Sequence, residues 1–159
     1  MQKEITLQKM FVPIETAKEL RVLGFNEPCF AVYTIETQST DESSTFYRFL
    51  TIDQLCKENN EFLATDDIRN SYSGDDVTAP LYQQVVDWFR EKHNLHISID
   101  NVNKPSSQMW GFDIQKLGGA IIDLWCQEKS VKDYYENFNN AIKSAIQIVK
   151  EDATNNNRK

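Results

Sequence analysis

The stretch VTAPLYQQVVDWFREKHNLH, Val77–His96, holds both histidines of the chain beside Trp88, Arg90, Glu91 and Asp87. It reads either as a cluster of reactive groups or as a helix that runs straight into a strand. Periodicity separates the two readings. Leu81, Val85, Trp88 and Phe89 recur at helical spacing, and Tyr82 and Val86 widen the stripe into a broad core-facing side. Thr78 suits an N-cap and Pro80 the first helical turn, where its missing N–H costs nothing. His93 and Asn94 end the helix. From Leu95 the period changes to two: Leu95, Ile97 and Ile99 alternate with His96, Ser98 and Asp100, as in a strand with one solvated face.

The same tests run outward in both directions. VPIETAKELRVLGFNEPC predicts a first helix, with Pro13 at N1 and Glu15 and Arg21 placed to suit the helix dipole. Gly24 followed by Phe25 has the form of a Schellman ending. Cys29–Glu36 is apolar on both alternate sets and reads as a strand covered on both faces, with Thr45–Leu50 as its antiparallel partner. The connection TQSTDESS between them is long for a hairpin and is expected to be mobile. Ile52, Leu55 and Cys56 suggest a short helical turn, followed by an irregular polar region that regains strand character near Phe62. Beyond Asp100, Trp110, Phe112 and Ile114 share one face of a strand, and Gly118-Gly119 suits a type I′ turn into a second arm. Ser130 as N-cap and Asp133 at N3 open a last helix whose apolar residues run from Val131 to Val149.

This order predicts an α+β fold, an antiparallel sheet of about five strands with three helices packed mainly on one face. One domain spans 1–150, and 151–159 forms a disordered polar tail. A length of 159 residues suits one domain, which at that size needs no disulfide or metal to fold. Twenty-four acidic against 17 basic residues give a formal charge of -7, which disfavours direct contact with nucleic acid and with anionic membranes. Three cysteines, Cys29, Cys56 and Cys126, are odd in number and widely spaced. A reducing cytoplasm is therefore expected, and the start of the chain lacks the apolar core of a signal peptide.

The candidate chemistry is sparse. His93 and His96 lie three apart, but the helix-to-strand change falls between them and no third ligand is near in sequence. A helix C-terminus would favour a charged His93. Asp66-Asp67 and Asp75-Asp76 could serve a cation, although Asp is common in turns for backbone reasons. There is no nucleophile elbow, no phosphate-binding glycine loop and no cluster of basic residues. Trp88, Trp110 and Trp125 fall in periodic apolar patterns and are expected in the core. No catalytic residue, cofactor or metal is assigned. The site candidates are His93, His96, Asp66, Asp67, Asp75 and Asp76.

Several stretches carry a resemblance: MFVPIETAKELRVLGFNEPCFAVY (10–33), VTAPLYQQVVDWFREKHNLHISI (77–99), WGFDI (110–114) and YYENFNNAIKSAI (134–146). Together they resemble a recurrent group of uncharacterised small proteins encoded in phages and mobile elements of gut-type bacteria. The resemblance covers most of Met10 to Ile148 apart from the region Glu36 to Asp75. It implies a genomic setting and transfers no catalytic or binding residues. The resulting expectation is a non-catalytic accessory or interaction protein that binds another protein. Two alternatives stand beside it. One is a small-ligand binder or hydrolase whose site gathers the His and Asp candidates. The other is an acidic inhibitor of a nucleic-acid-binding host protein.

Overall fold

Chain-local signals set most of the elements. In the computed structural model, residues 7–37, 45–59, 76–104, 107–119, 121–124 and 133–156 are described. They form α1 (Ile14–Val22), β1 (Ala31–Thr37), β2 (Thr45–Thr51), α2 (Ile52–Asn59), β3 (Val77–Thr78), α3 (Tyr82–His93), β4 (Leu95–Lys104), β5 (Ser107–Lys116), β6 (Ile121–Leu124) and α4 (Tyr134–Asn156). All strand pairings are antiparallel, so the fold is α+β. The strands are divided between two three-stranded sheets, ordered β2-β1-β3 and β4-β5-β6, in place of one sheet of about five. The division has a local cause. β3 stops after two residues, Pro80 has no N–H to continue a ladder, and the chain turns into α3. Two compact units result, Met1–Leu81 and Tyr82–Lys159.

In the first unit α1 ends as its sequence predicts. Gly24 takes φ 93°, its N–H donates to the Arg21 carbonyl, and the Phe25 N–H donates to the Leu20 carbonyl, each at 3.0 Å. That is the Schellman pair. Pro13 is the N-cap rather than N1, one position earlier than expected. The larger correction concerns Thr78, which does not cap a helix. It lies buried in β3 opposite Val32, because β1 has a second edge that must be bonded and Val77–Thr78 bonds it. Around β1 the core gathers Phe11, Ala17, Ala31, Tyr33, Val77 and Ala79, with Ile14, Tyr47, Phe49 and Leu81 packed against them. The buried Tyr33 hydroxyl donates to the Val12 carbonyl at 2.7 Å, and burial pushes its pKa up to about 12. The expected turn after Thr51 proves to be a full helix, α2. Gln54 Oε1 accepts from both the Thr51 N–H and its hydroxyl, which tightens the corner between β2 and α2.

The second unit packs α3 and α4 against β4 and β5. Val85, Trp88 and Phe89 of α3 are buried as the helical stripe predicts, and Tyr82 stacks on Phe138 of α4 at 4.7 Å. Ile97, Phe112 and Ile114 supply the apolar side of the ribbon. Two corrections apply to α4. Asp133 itself is the cap, its Oδ1 accepting from the N–H groups of Tyr135 and Glu136 at 2.8 and 3.0 Å. The helix also continues through Glu151 to Asn156 where a disordered tail is expected. Gln147–Glu151 and Thr154–Lys150 hydrogen bonds and a Lys116–Asp152 ion pair at 2.9 Å support those last turns. β5 ends at Lys116 and β6 begins at Ile121, so the connection is longer than the two-residue type I′ turn; among its described residues only Gly118 adopts positive φ (77°), and the ladder before it has a register shift at Ile114/Gln115. The loop at 38–44, Phe62, Trp125, Cys126 and Ser130 lie outside the described residues.

Asn94 joins α3 to β4 in one step. It takes φ 54°, the left-handed conformation that ends helices and that Asn tolerates better than other side-chain-bearing residues. Its carbonyl accepts from the Leu117 N–H at 2.8 Å, which starts the β4–β5 ladder. Asn94→Gly is therefore expected to leave stability unchanged or slightly raised, while Asn94→Ala lowers it by about 1 kcal/mol. Urea denaturation of the three proteins checks this, and equal midpoints for Asn94 and Ala would contradict it.

Candidate functional site

The direct consequence of the Asn94 turn is that the two histidines part. His93 closes α3 and folds back on its own helix. Its ring lies 4.7 Å from that of Trp88, edge to face, and 5.7 Å from that of Phe89. Its Nε2 is buried with no hydrogen-bond partner among the described residues. Burial lowers the His93 pKa, so desolvation outweighs the helix-dipole attraction that favours a charged ring. This imidazole packs on aromatic rings, and its burial favours the neutral form.

His96 falls on the opposite kind of surface. Register places it across from Gln115, with Ser98 across from Asp113 and Asp100 across from Gly111. These residues share the polar side of the β4–β5 ribbon. Asp113 is only 8% exposed. Its Oδ1 accepts from the Ser98 hydroxyl and its Oδ2 from Gln115 Nε2 at 2.7 Å. Gly111 has no side chain to stand between the strands at the next position, so Asp100 can lean diagonally toward Asp113. The Asp100 carboxyl is raised above its ordinary pKa, first by burial and then by its hydrogen bond to Asp113 and that group's charge.

This arrangement is a satisfied polar network more than a reactive one. Both Asp113 oxygens are already bonded, and the Ser98 proton is directed at a carboxylate instead of an imidazole. On the other side of the ribbon Asn137 is wholly buried. Its Nδ2 donates to the Gly111 carbonyl at 2.9 Å, while Oδ1 has no partner among the described residues.

The remaining candidates do not join His96. Asp76 belongs to the first unit, where its carbonyl accepts from Arg21 Nη1 at 2.9 Å. Asp66, Asp67 and Asp75 lie outside the described residues. Among the described residues no three of His, Cys, Asp and Glu gather closely enough to hold a metal ion. Cys29 is buried, with Sγ 3.4 Å from the Glu27 carbonyl, and Cys56 is half-buried on α2. Sequence reasoning missed the Asp100–Asp113 pair. The signal was present: both residues occupy the polar alternates of two strands joined by a short connection.

A different concavity lies in the first unit. An open cleft of about 680 Å³ is lined by Leu7, Tyr47 and Phe49 together with Gln8, Thr51, Asp53, Gln54 and Lys57. Phe49 meets Phe11 edge to face at 5.0 Å and Tyr33 at 5.5 Å, so its ring continues the core outward into the cleft. Lys18 sits over the Tyr47 ring at 4.4 Å and pairs with Glu15. Leu7 and Met10 are both 45% exposed nearby in sequence. Compared with known proteins, the chain matches no family model, no curated protein and no solved structure.

The His93 environment sets a pH dependence. Its folded pKa lies below the unfolded value near 6.5, so its contribution to stability is present above that value. It is lost as pH falls through the lower folded pKa, because the unfolded chain takes up the proton more readily. His93→Phe should therefore show a smaller loss of denaturation midpoint than the parent between pH 7.5 and 5. Identical pH profiles for the two proteins would contradict this placement of the ring.

Proposed function

We propose that the chain is a non-catalytic accessory protein of a phage or mobile element that acts by binding another protein, and that the cleft beside β2 is its contact surface. The observation that carries this reading is the composition of the cleft. Its lining combines two aromatic rings and an exposed leucine with hydroxyl, amide, carboxylate and ammonium groups. Protein-binding patches are enriched in aromatic side chains of this kind, with polar groups beside them that set orientation. The resemblance of 10–33 and 77–99 to phage and mobile-element proteins supports the setting.

Asp113 is already held by Ser98 and Gln115, which disfavours its use on a substrate as in a hydrolase. An inhibitor that imitates nucleic acid would need a face of unbroken negative charge. Four ion pairs among the described residues, Lys18–Glu15, Arg48–Glu58, Arg90–Asp87 and Lys116–Asp152, instead set positive groups beside carboxylates. Among the described residues no helix is long and apolar enough to cross a membrane.

The test is site-specific photocrosslinking in cells of the kind that carry the gene. A photoreactive amino acid replaces Leu7 at the cleft or, as control, Glu91 on the exposed side of α3. The reading predicts a discrete protein adduct from position 7 that is absent from position 91. No adduct at position 7, or the same adducts from both positions, would contradict it.

A further inference from the structure

The backbone at the cleft specifies what kind of partner it fits. In an antiparallel ladder, hydrogen-bonded and non-bonded residue pairs alternate. The Ile52 N–H donates to the Phe30 carbonyl at 2.9 Å, which fixes the phase of the β1–β2 ladder. Leu50 and Arg48 then direct their N–H and C=O groups at β1, opposite Val32 and Thr34. Tyr47, Phe49 and Thr51 direct theirs away from it. β2 is the outer strand of its sheet. At Thr51 the outward N–H is bonded by Gln54 Oε1 at 2.9 Å, which closes the edge there. Among the described residues the outward groups of Tyr47 and Phe49 have no hydrogen-bond partner. These are the same two residues whose rings line the cleft.

We infer that the cleft takes an extended peptide segment of a partner protein, added as a further strand on the outer edge of β2. The inference rests on the interaction-module reading and names the chemistry of its partner. An added strand lies roughly 4.8 Å from β2 and sends alternate side chains to each face. Every second residue of the segment therefore stands on the side of Tyr47 and Phe49 and enters the cleft, so the segment is apolar at alternate positions. Backbone pairing supplies affinity and the apolar pockets supply selectivity, as in strand addition generally. A second copy of this chain, pairing β2 with β2, is the alternative occupant that the test separates.

The probe is a library of random heptapeptides displayed against the full chain. Enriched peptides are resynthesised with one backbone amide N-methylated at a time. Strand addition predicts apolar residues at alternate positions. It also predicts that methylation at every second amide weakens binding by about tenfold or more, while the amides between tolerate it. Tyr47→Pro should abolish binding without breaking a sheet hydrogen bond, since its N–H faces outward at an edge. Leu7→Lys, at an exposed position, should weaken the same peptides and guards against misfolding of the proline variant. No enriched peptide, methyl tolerance without alternation, or peptides indifferent to Leu7→Lys would overturn the inference. So would a dimer in sedimentation that Tyr47→Pro dissociates, because the occupant would then be a second copy. A position-7 adduct without the alternating methyl pattern would remove strand addition and leave the interaction module standing. Loss of both adduct and peptide would remove both.

Discussion

Every residue of a strand offers hydrogen bonds to one side only, and β1 divides its residues between two neighbours. Ala31 and Tyr33 turn to β3, where the Ala79 N–H reaches the Ala31 carbonyl at 2.9 Å, while Phe30, Val32 and Thr34 turn to Ile52, Leu50 and Arg48. The first unit depends on that division. It draws Val77–Thr78 into the sheet and places Tyr33 so that its hydroxyl reaches Val12. It also leaves β2 as a strand bonded on one side alone. Tyr47 and Phe49, whose backbone groups face that side, pack partly on the core and line the cleft.

The second unit is organised by a different constraint, the abrupt change of period at Asn94. A single left-handed residue lets a broad apolar helix pass directly into a ten-residue strand. The turn separates His93, whose ring packs on Trp88, from His96 on the polar side of the ribbon. Two imidazoles that are neighbours in sequence thereby belong to unlike environments. The polar side of the ribbon collects its own network around Asp113, in which each strong group answers another.

The sequence was most legible where the determining interactions are local. The Schellman ending at Gly24–Phe25, the buried stripe of Val85, Trp88 and Phe89, and the alternation of Leu95 and Ile97 with His96 and Ser98 all depend on residues within a few positions of one another. It was least legible where the partner is distant. Thr78 has the chemistry of an N-cap, but β1, more than forty positions earlier, needs it as a strand residue. Ser130 reads as an N-cap with Asp133 at N3, yet it is Asp133 that accepts from the first N–H groups of the helix. Glu151–Asn156 looks like a polar tail in isolation, yet Lys116 of β5 reaches Asp152. Asp113 hides between Phe112 and Ile114, and its pairing with Asp100 depends on register. The open edge of β2 leaves no local trace at all, since a strand's sequence does not say how many neighbours it has.

The most direct measurement is residue-resolved amide hydrogen exchange along β2 in the isolated protein. The account predicts an alternation, with slow exchange at Arg48 and Leu50, whose N–H groups bond β1, and fast exchange at Tyr47 and Phe49, whose N–H groups face the open edge. Equal protection at all four residues would mean that the edge is already occupied, and would contradict the account.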